Sequence, residues 1–224
     1  MVEKAAGFHH PRLDAIEHRL THYQPRRLNG ERRRAAVLVG LLEGSSPRLL
    51  LTQRHASLRR HAGQVAFPGG KQDAHESLMQ CALREALEET GLRAEQARII
   101  GQLDEVISLH GVAVTPFVAR ISPSVELAPN PGEVAAIFSI PLDYLAQDPR
   151  VYTDCIQFQE RPSLYIPAYS YEGYTLWGLS AMITANLLHA GMAVDISLLR
   201  APSSTPLRHL GDRRPSRYPV DYFR

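Results

Sequence analysis

Residues 70–92 of the chain read GKQDAHESLMQCALREALEETGL, and this stretch decides how the rest is interpreted. Glu85, Glu88 and Glu89 lie at positions i, i+3 and i+4, so on a helix their carboxylates share one face. Neighbouring like charges destabilise a helix by about 0.2–0.5 kcal/mol per pair, and folding gives no reason to accept that cost. A divalent cation does give a reason, because Mg²⁺ and Mn²⁺ prefer carboxylate oxygens and water. The sequence therefore predicts a metal-binding helix face, with a solvated acidic face as the alternative.

The helix that carries these glutamates has recognisable flanking signals. Gly91 comes just after the last glutamate, where a left-handed C-cap is expected. Pro68, Gly69 and Gly70 precede the helix and predict a tight turn whose backbone can approach a ligand closely. At about 100° per residue, an apolar stripe is expected on the side opposite the glutamates. This stripe consists of Met79, Ala82, Leu83, Ala86 and Leu87.

The arrangement resembles the Nudix box, G-x5-E-x7-R-E-U-x-E-E-x-G-U, in which U is aliphatic. The matching residues are Gly70, Glu76, Arg84, Glu85, Glu88, Glu89, Gly91 and Leu92, with Ala86 at the small aliphatic position. The resemblance implies an α/β fold, an α/β/α sandwich around a mixed β-sheet, with the box as a loop-helix-loop. It also implies Mg²⁺-dependent hydrolysis of a nucleoside diphosphate linked to another group. Within that family, Arg84 is expected to support the glutamates, and a carbonyl of Gly69 or Gly70 to complete the metal shell.

A second motif runs into the first, since residues 50–70 read LLTQRHASLRRHAGQVAFPGG. This stretch is similar to L-L-T-x-R-(S/A)-x3-R-x3-G-x-V-x-F-P-G-G, the signature of the coenzyme A pyrophosphatase subfamily of Nudix hydrolases. His55 departs from it, where Ser or Ala is usual. Coenzyme A carries a 3′-phosphate dianion, which guanidinium groups bind in a bidentate fork. The candidate substrate-binding residues are Arg54, Arg59, Arg60, His61 and Lys71, although Arg59 and Arg60 also fit a plain surface loop.

The mechanism that the resemblance implies is attack on phosphorus by a metal-activated water. One to three Mg²⁺ or Mn²⁺ ions, bound by the three glutamates of the box helix, would stabilise the leaving group. The products would be 4′-phosphopantetheine and adenosine 3′,5′-bisphosphate. The general base is open between a box glutamate, Glu133 and Glu105, whereas Glu76 is expected to tie the loop to the start of the helix.

The order of elements predicts three parts: an N-terminal helix and basic linker over 1–30, a hydrolase domain over 31–192, and a C-terminal extension over 193–224. Helices are predicted at 11–22, at 70–92 within the box, from Pro141 to about Gln147, and at 177–190. Strands are predicted at 35–42, 48–54, 64–67, 97–107, 112–121, 133–140, 151–159 and 163–170. We expect the tail from about Ala201 onward to be dispensable for the chemistry.

Composition excludes several classes of protein. The chain has 224 residues, 44% of them hydrophobic, and a net charge of only +2, which suits one globular domain with extensions. No stretch approaches the roughly 20 apolar residues of a transmembrane helix, and we expect no membrane partner. Cys81 and Cys155 form no disulfide framework, no signal-peptide core or peroxisomal address is visible, and a reducing cytoplasm is expected.

Basic residues cluster near both ends of the chain, for which solvated loops are the simplest interpretation. These are Arg26, Arg27, Arg32, Arg33 and Arg34 at the start and Arg208, Arg213, Arg214 and Arg217 in the tail. No nucleic-acid partner is expected, and a homodimer stays open. The alternatives to coenzyme A are NADH, ADP-ribose and, in a decapping-like role, capped RNA. A different class is a Nudix-fold ligand sensor without catalysis, which would usually lack a box glutamate; all are present here.

Overall fold

A computed structural model of the chain describes residues 10–30, 32–57, 62–108, 110–158 and 161–212. The helices are α1 (Pro11–His22), α2 (Leu78–Thr90), α3 (Leu142–Ala146) and α4 (Gly178–Met192). The first eight strands are β1 (Arg34–Leu42), β2 (Arg48–Arg54), β3 (Val65–Ala66), β4 (Gly69–Lys71), β5 (Ala97–Gln102), β6 (Val106–Ile107), β7 (Ala113–Ile121) and β8 (Val134–Pro141). The strands that follow are β9 (Arg150–Phe158), β10 (Arg161–Tyr171), β11 (Tyr174–Leu176) and β12 (Leu207–Asp212). None of the helices in these ranges combines the length and apolar content that crossing a membrane requires.

The first sheet is mixed and is organised around β1. This strand runs parallel to β7 along its whole length, and it pairs antiparallel with β2 at one end and with β4 at the other. β2 continues beyond β1 to pair with β3 and β8, while β5 and β6 extend the sheet from β7. Because β1 is covered on both faces, its sequence AAVLVGLL is apolar at nearly every position. The predicted mixed sheet is confirmed.

Helices cover both faces of this sheet. α2 packs on one face of β1, where small side chains such as Ala82 and Ala86 meet Leu38. α1 and α4 belong to the larger core on the other face, with Val39 and Leu41. The two helices approach closely, since a Cβ added at Gly191 of α4 would lie 3.0 Å from Cγ2 of Ile16 in α1. These layers form the predicted α/β/α sandwich.

The other predicted elements agree with the structure to within a few residues. The helix predicted at 11–22 is α1, and its expected apolar side, Leu13, Ile16 and Leu20, is buried. The strands predicted at 35–42 and 48–54 are β1 and β2, which pair antiparallel. The single strand predicted over 97–107 is instead divided into β5 and β6, because the amides of Asp104 and Glu105 donate to the Asn186 side chain and the Arg26 carbonyl rather than to β7.

A second sheet, with the order β11-β10-β9-β12, was not predicted as a separate layer. Its edge strand β12 lies inside the segment expected to be an extension, and it pairs parallel to β9 with Leu207 opposite Thr153. The Arg208 guanidinium donates two hydrogen bonds to Asp154, from Nε to Oδ1 at 2.6 Å and from Nη2 to Oδ2 at 2.9 Å. Residues 207–212 are therefore integrated with the domain. The boundary at 193 stays a prediction, and residues 213–224 lie outside the described ranges.

The apolar stripe predicted on α2 is wrong at two positions. Met79 is 42% exposed and Leu87 is 48% exposed, whereas Ala82, Ala86 and Glu89 are buried. The helix lies close to β1 through its small side chains, which rotates the buried face away from the bulky residues. One of the three glutamates consequently lies on the buried side of the helix rather than opposite it.

Candidate active site

The box helix α2 is fixed at both ends by its own sequence. Ser77 is the N-cap, its hydroxyl accepts a hydrogen bond from the Gln80 amide, and Gln80 returns one to the Ser77 amide. This capping box satisfies two of the amides that the first turn leaves without helical partners. Gly91 closes the other end in the left-handed conformation, with φ of 71°, as the sequence predicts. The helix thus holds its glutamates in a defined register.

Gly69 and Gly70 form the start of β4, and neither tolerates a side chain. A Cβ at Gly70 would lie 2.5 Å from Oε2 of Glu85, so the carboxylate occupies the space that the glycine leaves. A Cβ at Gly69 would lie 2.6 Å from Cγ1 and 2.7 Å from Cα of Val37, inside the neighbouring strand. The sequence predicts a turn whose backbone approaches a ligand closely, and the close approach seen here is to the protein itself: the backbone meets α2 on one side and β1 on the other.

Arg84 organises the acidic side chains around it. Its Nε and Nη2 donate to the two carboxylate oxygens of Glu76 at 3.0 and 2.8 Å. Its Nη1 donates to Glu85 Oε1 at 3.0 Å and to Glu88 Oε2 at 3.1 Å. Charge-assisted bonds of this kind fix the orientation of carboxylates. The arrangement agrees with the supporting role that the resemblance implies for Arg84.

Glu76 joins the loop to the helix. Its Oε1 accepts the Asp73 amide at 2.8 Å while its carboxylate binds Arg84. The hydrogen bond from Arg84, followed by that from the Asp73 amide, lowers the pKa of Glu76 to about 2. The side chain therefore stays ionised at neutral pH and is already fully engaged. This geometry supports a structural role for Glu76.

Glu85 and Glu89 differ from Glu76 in the direction in which their pKa values are shifted. Burial raises the pKa of Glu89 to about 7, with Arg54 opposing the shift and the charge of Glu85 adding to it. Burial also raises the pKa of Glu85, against hydrogen bonding from Arg84 and with repulsion from Glu88. Carboxylates that lack enough compensating charge in a cleft are typical of functional sites.

Glu133 lies close enough to repel both of these carboxylates. Its charge is among the causes that raise the pKa of Glu85 and of Glu89. The loop that carries Glu133 is tied to the end of α2, because the Asn130 amide donates to the Glu89 carbonyl at 3.0 Å. The His55 amide also donates to the Glu133 carbonyl at 2.8 Å. The link of Asn130 to α2 carries no local signal in the sequence.

Glu105, the other candidate base, is engaged elsewhere. It is buried, its Oε2 accepts the Leu28 amide at 2.7 Å, and its Oε1 accepts the Thr115 hydroxyl at 3.0 Å and pairs with Arg34. Both oxygens are therefore occupied in holding the N-terminal linker against the first sheet. A carboxylate with these partners is poorly suited to accept a proton from a catalytic water.

The predicted substrate-binding residues fall into two groups. Arg54, at the end of β2, places Nη1 3.4 Å from Oε1 of Glu89, and its buried Nε has no hydrogen-bond partner within the described ranges. Lys71, at the end of β4, is exposed, and its carbonyl accepts from Arg84 at 3.2 Å. Arg59, Arg60 and His61 lie outside the described residues. The structure thus brings Arg54 to the glutamates.

The acidic cluster suits a divalent cation because of the donor atoms it offers, not because its side chains already surround a metal position. Glu85, Glu88 and Glu89 supply the oxygen donors that Mg²⁺ and Mn²⁺ prefer. No group of three His, Cys, Asp or Glu side chains among the described residues is already arranged around a metal position. Arg84 accounts for part of this, because Glu85 and Glu88 point at its guanidinium.

Comparisons with known proteins place the chain in one family. The family model of the NUDIX domain matches residues 31–155. The uncharacterized Nudix hydrolase NudL of Photorhabdus laumondii is 41% identical over 165 residues, which cover 73% of this chain and 87% of that protein. NudL of Pectobacterium atrosepticum is 42% identical over 159 residues, which cover 70% and 82%. The crystal structure of RenU, a Nudix hydrolase from M. smegmatis, superposes with a TM-score of 0.44 at 30% identity, over 52% of this chain and 74% of that one. The chain belongs to the Nudix family of hydrolases.

Proposed function

We propose that this Nudix hydrolase cleaves the diphosphate of coenzyme A, or of its acylated or oxidised forms. The products are 4′-phosphopantetheine and adenosine 3′,5′-bisphosphate. Family membership supports the coarser activity, which is hydrolysis of a nucleoside diphosphate linked to another group. The observation that carries the finer proposal is the place of Arg54, an arginine of the coenzyme A signature, 3.4 Å from Glu89 of the box.

Arg54 is suited to bind a phosphate oxygen beside the acidic cluster. A guanidinium offers donors in a planar fork, and Nε of Arg54 is buried without a partner among the described residues. A buried donor without an acceptor is costly, and a substrate phosphate would supply the acceptor. We assign the same class of role to Arg59, Arg60, His61 and Lys71 as predictions from the sequence.

The chemistry we propose is substitution at phosphorus. Glu85, Glu88 and Glu89, with a Gly69 or Gly70 carbonyl, would hold Mg²⁺ or Mn²⁺, which would supply Lewis-acid stabilisation of the diphosphate oxygens. Arg84 orients Glu85 and Glu88 through its hydrogen bonds. A water oxygen attacks one phosphorus, its proton passes to a base, and the bond from that phosphorus to the bridging oxygen breaks. We assign the base to Glu133, whose charge acts on Glu85 and Glu89, whereas Glu105 is paired with Arg34.

The test is a substrate panel with identified products. The protein is incubated with millimolar Mg²⁺ and one of five substrates: coenzyme A, octanoyl-coenzyme A, NADH, ADP-ribose or capped RNA. The products are separated and identified by mass spectrometry. We expect the highest kcat/KM on coenzyme A or its acyl form, and no turnover with excess EDTA. Glu85→Gln should lose the activity, whereas Glu95→Gln, an exposed acid outside the cluster, should keep it. A preference for NADH or ADP-ribose would refute the coenzyme A proposal and leave the Nudix chemistry intact.

A further inference from the structure

A cavity of about 320 Å³ lies between the two sheets and the start of α4. Its walls are mostly aliphatic and aromatic, with Phe67 and Ile107 from the first sheet, Ile156 and Ile166 from the second, and Ile183 from α4. Enclosed apolar cavities of this size are typical of small-molecule sites. The cavity thus differs in chemistry from the charged cluster on α2.

The cavity is continuous with the proposed catalytic site. Gly69 and Arg54 line one side of it, and the Gly69 amide also donates a hydrogen bond to Glu89. A diphosphate held at the glutamates would therefore place one of its two substituents at the opening. Because few polar groups line the walls, an apolar substituent suits the cavity better than a sugar or a second phosphate.

The outer wall of the cavity is supplied by β12, which begins 52 residues beyond the end of the family match at 155. Leu210 of this strand lines the cavity and is half-buried. Arg208, two residues earlier on the same face, binds the fully buried Asp154 through two hydrogen bonds. Its guanidinium also lies 4.4 Å from the ring centre of Tyr152 and 5.8 Å from that of Trp177, which lines the cavity.

We propose that β12 is a specificity element of this enzyme and that Leu210 and Arg208 decide which apolar substituent the cavity accepts. Leu210 contacts the apolar group directly. Arg208 is a positioning residue, which holds β12 against β9 through Asp154 and keeps the Trp177 ring at the cavity wall. The identity of the substituent, an acyl chain on the thiol end of coenzyme A, rests on the proposed function; the wall made by β12 does not.

The expected effect follows from the transfer of methylene groups out of water. Each fully buried methylene strengthens binding about fourfold. Burial of only two methylenes of the acyl chain should therefore improve binding by more than about tenfold, and the gain should grow with chain length until the cavity is full. Leu210→Ala should weaken that gain about threefold or more, because one wall of the cavity recedes from the chain.

The test measures binding and turnover separately. Trp177 is the single tryptophan of the sequence and lines the cavity, so its fluorescence reports occupancy without any hydrolysis. Coenzyme A, hexanoyl- and octanoyl-coenzyme A, and octanoyl-N-acetylcysteamine, which has no nucleotide, are titrated in EDTA. The ratio of kcat/KM between octanoyl-coenzyme A and coenzyme A is then measured with Mg²⁺. The variants are Leu210→Ala, Arg208→Met and Arg208→Lys, with Leu207→Ala, an exposed residue of the same strand, as the matched control.

We expect chain-length dependence in the wild type and in Leu207→Ala, a reduced dependence in Leu210→Ala and Arg208→Met, and partial recovery in Arg208→Lys. If Arg208→Met does not fold, Leu210→Ala still tests the wall, because it leaves the Arg208 pair in place. The proposal would be overturned if Leu210→Ala showed the same dependence of binding on acyl-chain length as the wild type. It would also be overturned if octanoyl-N-acetylcysteamine caused no change in the Trp177 fluorescence of the wild type. Chain-dependent binding in a protein that does not hydrolyse coenzyme A would refute the proposed function alone.

Discussion

Replacing Gly70 by alanine should remove activity while sparing the fold. The added Cβ would lie 2.5 Å from Oε2 of Glu85, whereas ordinary contacts begin at 3.4 Å. The Glu85 carboxylate must therefore move by about 1 Å, and a misplacement of that size costs about a hundredfold in rate when a group must be held in register. Gly70 does not have the positive φ that would strain an alanine, and the group in the way is the end of a flexible side chain.

Gly69→Ala is the matched comparison, because its Cβ meets backbone instead. The Cβ would lie 2.7 Å from Cα of Val37, so β1 and β4 must separate, which we expect to lower the free energy of unfolding by about 1–3 kcal/mol. The assay is kcat on the best substrate of the panel at saturating Mg²⁺, alongside urea unfolding of both variants. Gly70→Ala should keep wild-type stability and lose turnover. Turnover within about threefold of wild type in folded Gly70→Ala would refute the close-approach reasoning.

Four further predictions concern the metal ligands, the tail, the substrate and acid stability. Glu85→Gln or Glu89→Gln should lower kcat by at least about a hundredfold with the far-ultraviolet dichroism unchanged, and near-normal kcat at saturating Mg²⁺ would remove the metal assignment. Deletion after Arg200 should lower the free energy of unfolding by about 1–3 kcal/mol, because Asp154 loses Arg208, whereas deletion after Asp212 keeps β12 and serves as the control; equal stability of the two would contradict a stabilising role of β12. The kcat/KM for coenzyme A should exceed that for 3′-dephospho-coenzyme A about ten- to a hundredfold, and Arg59→Ala should reduce this difference. Equal values in the wild type would contradict phosphate recognition by the loop that carries Arg59. Hydrogen bonding to Arg98 lowers the pKa of Glu17, so its stabilisation is present above the unfolded-state pKa of about 4.3 and is lost as pH falls through the lower folded value; Glu17→Gln should flatten that loss in acid unfolding, while the exposed Asp195→Asn should not.

The sequence predicts the features of this protein that depend on local spacing. The C-cap of α2 at Gly91, the shared face of Glu85 and Glu89, and the contact of Arg84 with its neighbours all arise within a few residues along one helix. The strands of the first sheet are likewise visible as apolar runs between turn signals. The order of the strands in the sheet depends on pairing between distant segments, so the family resemblance predicts it and periodicity does not.

The features that the sequence did not predict depend on partners far along the chain. Arg208 and Asp154 are 54 positions apart, and without that pair the segment LRHLGD has too few apolar residues to be predicted as a strand. Arg34 and Glu105 are 71 positions apart, which is why Glu105 was a plausible base until its buried partners were seen. Charged residues in a sequence do not reveal whether they serve catalysis or hold two segments together.

The balance of charge at the candidate active site distinguishes carboxylates that hold segments together from carboxylates that serve catalysis. Glu76 meets Arg84 through both oxygens and has a lowered pKa, so its charge is offset within the fold. Glu85 interacts with Arg84, and Glu89 interacts with Arg54. The pKa values of both glutamates are raised because the effect of burial exceeds that of these arginines. A fold selected for stability alone would replace such carboxylates with apolar side chains. Carboxylates that stay buried and under-compensated indicate that the missing positive charge comes from outside the chain, and a divalent cation bound with the diphosphate would supply it.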